Sequence, residues 1–364
     1  MIKRILLLSM AAVAFLVATT VLIMNREFTD PVLDEHGDAI SDSLAVIDRV
    51  NLGGIEQSLV IRGAQADLPV LLWLHGGPGS PELPFAREFN ADLERRFLVV
   101  HWDQRGAGKS YYEGEDLPPE QMRLRENYVA DTIELSERLI RRFRTDATQA
   151  EKKIYLFGHS WGALVGILAA QRRPDLFHAF IAAGQPVRMA ESERRSYEWA
   201  LQQSREQKNA DAIAELEAIG TPPYSGETMA QKTPVHWKWV MQHGGALYGR
   251  DSIASLLPIL FFCDEYNLVD KVAFVQGGQR TARIVWDELM AANLFAEVPA
   301  LAVRTVFIHG RHDRQVDGAL TEEYFRGLRA PEKTWIWFEA SAHSPMFEEP
   351  GRFTEVLADL LTSK

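Results

Sequence analysis

Ile154 to Val165 read IYLFGHSWGALV. A short apolar run, Ile154–Phe157, stops at Gly158, and a second apolar run opens at Ala163 and continues to Arg172. The first suits a buried strand and the second a helix. Between them stands Gly158-His159-Ser160-Trp161-Gly162, a G-x-S-x-G stretch. Glycine on both flanks lets the backbone turn tightly from strand to helix, which leaves the Ser160 hydroxyl in the open. A serine hydroxyl is a weak nucleophile at neutral pH and needs a base to take its proton. The stretch therefore predicts a sheet whose strands end in a site, and a search for a histidine and an acid farther along the chain.

The flanking sequence carries the same alternation. Ala45–Leu52 and Ile55–Arg62 read as strands joined at Gly53-Gly54, a hairpin signal. Val70–Leu74 and Phe97–Trp102 are apolar strand runs, and Tyr128–Arg144 carries an apolar stripe at helical spacing. After Ala179–Ala183 the pattern breaks into helical, Arg- and Glu-rich sequence, and Val303–His309 restores it. Asp317–Leu328, Thr334–Phe338 and Phe353–Leu361 then read as helix, strand and helix. Apolar strands alternating with helices predict an α/β fold, a mostly parallel central sheet covered by helices on both faces. The core is expected over 45–185 and 301–364, with a helical cap inserted over 186–300.

Two further segments fall at strand ends, where such sheets build sites. His75-Gly76-Gly77-Pro78-Gly79 follows Val70–Leu74. Its glycines allow backbone N–H groups to approach a developing oxyanion; Pro78 has no N–H, so Gly77 and Trp161, the residue after the nucleophile, are the expected donors. Asp313 follows the strand ending at His309, and His343 follows the strand ending at Phe338. The chain order Ser160, Asp313, His343 suits a nucleophile, an orienting acid and a base. Asp317 is a rival for the acid. His309, His312 and Asp313 invite a metal reading, but their spacing fits no zinc pattern, and no metal or cofactor is expected. His75 and His159 flank the site, where either could touch substrate. Cys263, in an apolar context, reads as a buried hydrophobe.

The N-terminus stands apart. Lys3 and Arg4 precede Ile5–Met24, which carries no charge. A helix of that length spans roughly 30 Å, a bilayer's hydrocarbon thickness. The run exceeds a cleaved signal's apolar core and lacks a good cleavage site, so residues 1–28 are expected to be a retained signal anchor, a transmembrane helix; cleavage would give a secreted protein instead. The basic residues on its N-terminal side place the main domain outside the cytosol. Residues 29–44, acidic at their start, read as a tether. Of 364 residues, 39 are Lys or Arg and 50 Asp or Glu, a net charge of −11 that argues against nucleic acid as a partner. The single cysteine excludes an internal disulfide.

His75–Gly79, Trp102–Ser110 (WDQRGAGKS), Gly158–Gly162, and the Asp313 and His343 loops together resemble the proline iminopeptidase branch of the α/β-hydrolases. The resemblance runs over 45–364 apart from the cap. It implies catalytic roles for Ser160, Asp313 and His343, an oxyanion hole shaped around Gly77, and a bracing loop at Asp103, Gln104 and Arg105. It departs at His159, where well-known members have glycine, and at Ser80-Pro81-Glu82, where they run on in glycine. An aminopeptidase must hold a substrate ammonium with carboxylates, and Asp264 and Glu265, beside Phe262 and Tyr266, are the candidates. The expectation is a serine hydrolase releasing N-terminal residues from short peptides. Alternatives are a small-molecule ester, amide or lactone hydrolase on the same machinery, or a non-catalytic binding module on the same scaffold.

Overall fold

The structure is a computed structural model that describes residues 27–111, 117–144 and 152–362, together with Thr19. The expected signal anchor lies outside the described residues but for that threonine and its last two positions. Among the described residues no helix is long and apolar enough to cross a membrane.

Eight strands form one sheet: β1 (Leu44–Leu52), β2 (Ile55–Gly63), β3 (Val70–Leu74), β4 (Leu98–Asp103), β5 (Ile154–His159), β6 (Phe177–Ala183), β7 (Arg304–Gly310) and β8 (Lys333–Phe338). Their order is β1-β2-β4-β3-β5-β6-β7-β8. The opening hairpin is antiparallel and β2 also runs antiparallel to β4. Every other pairing is parallel. Strands β3 and β4 are buried along their whole length, as expected of apolar runs with no polar face. Alternate residues enter opposite layers. Leu72, Leu74, Val100 and Leu156 pack into one core, while Leu71, Trp73, Val99 and Phe157 pack into the other.

Helix α1 (Leu83–Phe89) follows β3, α2 (Val129–Phe143) precedes β5, and α3 (Trp161–Arg172) follows it. Helix α3 is buried through ten consecutive residues, Trp161 to Ala170, which explains its lack of a polar face. Between β6 and β7 lie α4 (Met189–Glu206), α5 (Ala210–Ile219), α6 (Gly226–Gln242), the short α7 (Leu257–Phe261), α8 (Leu268–Ala291) and α9 (Leu294–Glu297). The chain closes with α10 (Gly318–Gly327), β8, α11 (Pro345–Glu348) and α12 (Pro350–Thr362).

The long helix α8 seats the cap on the core. A Cβ at Gly277 would lie 2.7 Å from the Gly106 carbonyl oxygen, so only glycine permits that approach. Lys109, fully buried, sends its ammonium to Asp270 of α8 at 2.7 Å, to the Glu265 carbonyl at 3.0 Å, and to Glu27 at 2.8 Å. A cation out of water needs this many partners.

The stretch expected as a tether is packed instead. Val32 is buried, and Ile40 N–H donates to the Val32 carbonyl at 2.9 Å. Thr29 Oγ1 donates to Glu265 at 2.9 Å, and the Arg62 guanidinium reaches the Asp30 carbonyl at 2.5 Å. Acidic composition suggested a solvated linker, but Arg62, a buried cation farther along the chain, draws the start of the segment onto the core.

Candidate active site

Ser160 sits between β5 and α3 with φ +52° and ψ −118°. A non-glycine residue held there stores of order 1–3 kcal/mol of strain, so its surroundings must over-determine it. They do so through three contacts. The Ser160 N–H donates to Ala183 O of β6 at 2.9 Å. A Cβ at Gly158 would lie 2.4 Å from Gly162 O, and a Cβ at Gly162 would lie 2.1 Å from Leu74 O. Glycine at both flanks is thus required by close backbone approach within the turn and against β3.

His343 follows β8 and Asp313 follows β7. The His343 Nδ1 lies 2.8 Å from Asp313 Oδ2, with Asp313 fully buried. Burial alone would raise the Asp313 pKa, but the His343 ring and hydrogen bonds, including one from Val316 N–H, hold it below the usual value. His343 and Ser160 both line one cavity. The rival Asp317 caps α10, accepting Leu320 N–H at 2.7 Å, and pairs with Arg195. His309 is buried with its Nε2 3.2 Å from the Val316 carbonyl, and His312 stacks on Tyr248 at 4.3 Å between ring centroids.

A second buried pair lies beside the nucleophile. His159 Nδ1 is 2.5 Å from Glu82 Oε1, and His159 Nε2 is 2.8 Å from the His343 carbonyl. Glu82 also accepts Gly76 N–H and the Trp73 indole N–H, each at 2.8 Å. Burial would lower the His159 pKa, but the Glu82 charge and both hydrogen bonds outweigh it and raise it. Burial would raise Glu82, and the same histidine pulls it below its usual value. One carboxylate therefore ties together β3, the loop after it, the serine turn and the histidine loop.

The network takes up one of the two glycine N–H groups that follow His75. The Gly76 N–H is spent on Glu82, whereas Gly77 and Trp161 line the cavity. The Trp161 N–H lies in the first turn of α3, where a helix has no internal acceptor for it. Its indole N–H donates to Gln104 at 3.0 Å, and Gln104 in turn donates to the His75 carbonyl at 3.2 Å. The loop of Asp103, Gln104 and Arg105 braces the site: Arg105 pairs with buried Asp131 at 2.7 Å, and Asp103 accepts the Tyr266 hydroxyl at 2.7 Å. Burial pushes Asp103 up to about 6.

The cavity has a volume of about 330 Å³, within the range of small-molecule sites. Trp237 and Met241 of α6, Leu257 and Leu260 of α7, Phe274 of α8 and Phe347 of α11 supply much of its wall. Among the described residues lining it, Glu82 is the one acid, and there is no Lys or Arg. The remaining expected substrate contacts lie elsewhere. Asp264 is exposed outside the cavity, and its carbonyl accepts Phe28 N–H. Glu265 is buried against Arg87 at 2.8 Å. His75 is buried between Gly76 and Gln104. Their neighbours in sequence are aromatic or glycine-rich, but the Glu265 charge and the His75 ring nitrogens are consumed inside the core, and the Asp264 carboxylate is turned to the exposed surface.

Glu82 and the apolar cap residues were not legible as site residues. The partner of Glu82 stands 77 positions away. The cap residues share no spacing; only the fold turns them towards Ser160.

Residues 71–356 match a family described as the alpha/beta hydrolase family. The chain is 34% identical over 318 residues to the protein named "Probable aminopeptidase YbaC" of Bacillus subtilis strain 168, covering 87% of this chain and 96% of that one. A "Probable proline iminopeptidase" of Leptolyngbya boryana is 32% identical over 114 residues, 31% of this chain and 30% of its own. Among solved structures, a proline iminopeptidase-related protein from Thermus thermophilus superposes with a TM-score of 0.61 at 19% identity, covering 88% of this chain and 98% of that one. At that identity the likeness speaks to the fold.

Proposed function

The chain belongs to the α/β-hydrolase family, and from that premise we propose that it is a serine hydrolase forming an acyl-enzyme on Ser160, with an apolar acyl group as its preferred cargo. Ser160 Oγ attacks the substrate carbonyl carbon while His343 takes the hydroxyl proton. Asp313 holds the His343 tautomer and stabilises the imidazolium. The Gly77 and Trp161 N–H groups receive the oxyanion. His343 then protonates the leaving group as the carbonyl–heteroatom bond breaks, and water, deprotonated by His343, releases the acid and restores Ser160.

One observation carries the substrate class. The cavity wall is mostly apolar, and Glu82, the one acid among the described residues lining it, has its oxygens engaged by Gly76, Trp73 and His159. An uncharged ester or amide with a hydrocarbon acyl part suits that wall. A second reading, release of N-terminal residues from short peptides, is favoured by the name of the Bacillus subtilis relative. It requires the substrate ammonium to compete with His159 for Glu82.

A fluorophosphonate probe together with paired substrates tests both. Labelling of the wild type, lost in Ser160→Ala along with a fall in kcat of about 10⁶, is expected; a labelled Ser160→Ala protein overturns the mechanism. Turnover of medium-chain nitrophenyl esters above prolyl, alanyl and leucyl arylamides is the expected ranking, and the reverse ranking establishes the aminopeptidase reading. We further place the catalytic unit outside the cytosol, held by Ile5–Met24 as a membrane span, on the strength of that uncharged run and the basic residues before it.

A further inference from the structure

Monomeric soluble proteins rarely gather their exposed apolar side chains in one place. Here they are gathered. Among the described residues, eight of the ten large exposed hydrophobic side chains fall between Tyr248 and Val275, and the other two are Phe28 and Leu33. Phe262 is 79% exposed, Val275 55% and Leu257 53%. The twelve residues Ser252–Cys263 contain no Asp, Glu, Lys or Arg. On α8, Val269, Val272 and Val275 repeat at three-residue intervals and form an exposed stripe. The two parts meet where Leu260 and Phe274 pack around Tyr266.

The same segment is the wall of the active-site cavity. Ile253, Leu256, Leu257 and Leu260 line it, while Phe261 and Phe262 of that segment face outward. One short stretch of chain therefore separates the space above Ser160 from the surroundings, with hydrocarbon on both sides.

The start of the described chain says what those surroundings are. The Phe28 N–H donates to the Asp264 carbonyl, two residues from Phe262. Glu27 is fixed to Lys109 and Thr29 to Glu265. From Met24, the end of the uncharged run, to Phe28 there are four Cα steps, at most ~14 Å of extended chain. The polar layer on each side of a bilayer is about 6 Å deep. A span ending at Met24 thus leaves Phe28, and the apolar surface beside it, no room to stand far from the membrane.

We propose that the surface formed by Ile253–Phe262 and by Val269, Val272 and Val275 docks on the lipid bilayer that holds the N-terminal segment, and that apolar acyl substrates pass between that bilayer and the cavity through the Ile253–Leu260 wall. The proposal rests on the reading of Ile5–Met24 as a membrane span. The bilayer is the occupant because the chain itself delivers it to this face, and because an uncharged, Phe- and Leu-rich surface sinks readily into the region between headgroups and acyl chains.

The test uses the full chain reconstituted in phosphatidylcholine vesicles. Phe262→Cys in a Cys263→Ser background carries a bimane label, and Arg326→Cys, exposed in α10, carries the control label. Lipids with a spin label high on the acyl chain are expected to quench most of the emission at position 262 and little at position 326. Vesicle flotation without quenching at 262 overturns docking while leaving the span intact. Failure to float overturns both. A label at 262 shielded from aqueous iodide yet untouched by the lipid quencher assigns the surface to a second copy or to the chain's own N-terminal segment, and also overturns the proposal. For substrate passage, the double substitution Phe261→Ser with Phe262→Ser is expected to lower hydrolysis of a vesicle-borne long-chain ester about tenfold, given the apolar area two Phe side chains withdraw from water. Hydrolysis of a soluble short-chain ester should stay within about twofold. An equal fall with both esters overturns the passage. Fluorophosphonate labelling of Ser160 in the same vesicles reports separately on the hydrolase reading.

Discussion

Ser160 shows how a side chain's reach is set by a backbone angle. Its positive φ is affordable only because Gly158 and Gly162 let the turn close on itself and on β3. That much could be read from the G-x-S-x-G stretch, and so could the choice of partner histidine and acid by chain order. The Glu82–His159 pair could not, because neither residue type nor spacing announces a contact between segments so far apart. It makes a testable statement about pH. His159 is raised above its ordinary 6.5, so its contribution to stability is full below 6.5 and is lost as pH climbs through the raised value. Glu82 is lowered below its ordinary 4.5, so its contribution is full above 4.5 and is lost as pH falls through the lowered value. Glu82→Gln removes the charge that keeps the buried His159 ring protonated, and losing the charged pair should cost about 1–3 kcal/mol near neutral pH. The gap in melting temperature between the variant and the wild type should shrink as pH rises through the raised His159 value; a gap constant from pH 6 to 10 would contradict the pairing. Asp313→Asn should leave the fold intact while lowering kcat about 10⁴-fold, since the wrong His343 tautomer is then held. A melting curve and a burst assay on the same sample separate the two effects.

At the scale of elements, the strands were the most legible part. Val70–Leu74 is the same five residues in sequence and structure, because a wholly apolar run bounded by Pro69 and His75 has no other home than a buried sheet. Helix α3 is bound to that strand by contact at its first turn. Gly162→Ala would drive a Cβ to within 2.1 Å of the Leu74 carbonyl oxygen, and the shift needed to relieve it should cost ~1–3 kcal/mol or more. Calorimetry should show a melting temperature lower by several degrees, with weakened labelling of Ser160 because the Trp161 N–H moves with the turn. An unchanged protein would mean that the turn is looser than its distances imply. The cap was legible as helical sequence but not as a wall. Trp237, Met241 and Phe274 carry no mark that separates an inward residue from one packed between helices, and the distinction exists only once α6 and α8 are placed over the sheet.

For the molecule as a whole, sequence and structure divide the information differently. Alternating strand and helix runs specified a mostly parallel sheet. They did not specify that residues 29–44 would lie against it, because Arg62, the cation that holds their start, looks like an ordinary surface residue in a sequence. On the proposed reading of Ile5–Met24 as a membrane span, Lys3 and Arg4 on its N-terminal side set the orientation of the whole. A reporter enzyme joined after Lys364 should therefore be active only in an extracytoplasmic compartment, and activity in the cytosol would reverse the topology.

The Lys109 ammonium has a mechanical side. It passes through three layers at once, the N-terminal arm at Glu27, the sheet-side loop that bears it, and the cap at Asp270. It works as a rivet, fastening α8 of the cap and the N-terminal arm to the loop after β4. Replacing that single nitrogen, as in Lys109→Met, should unfasten arm and cap together, and hydrogen exchange would register the release in both Glu27–Val32 and α8 at the same moment.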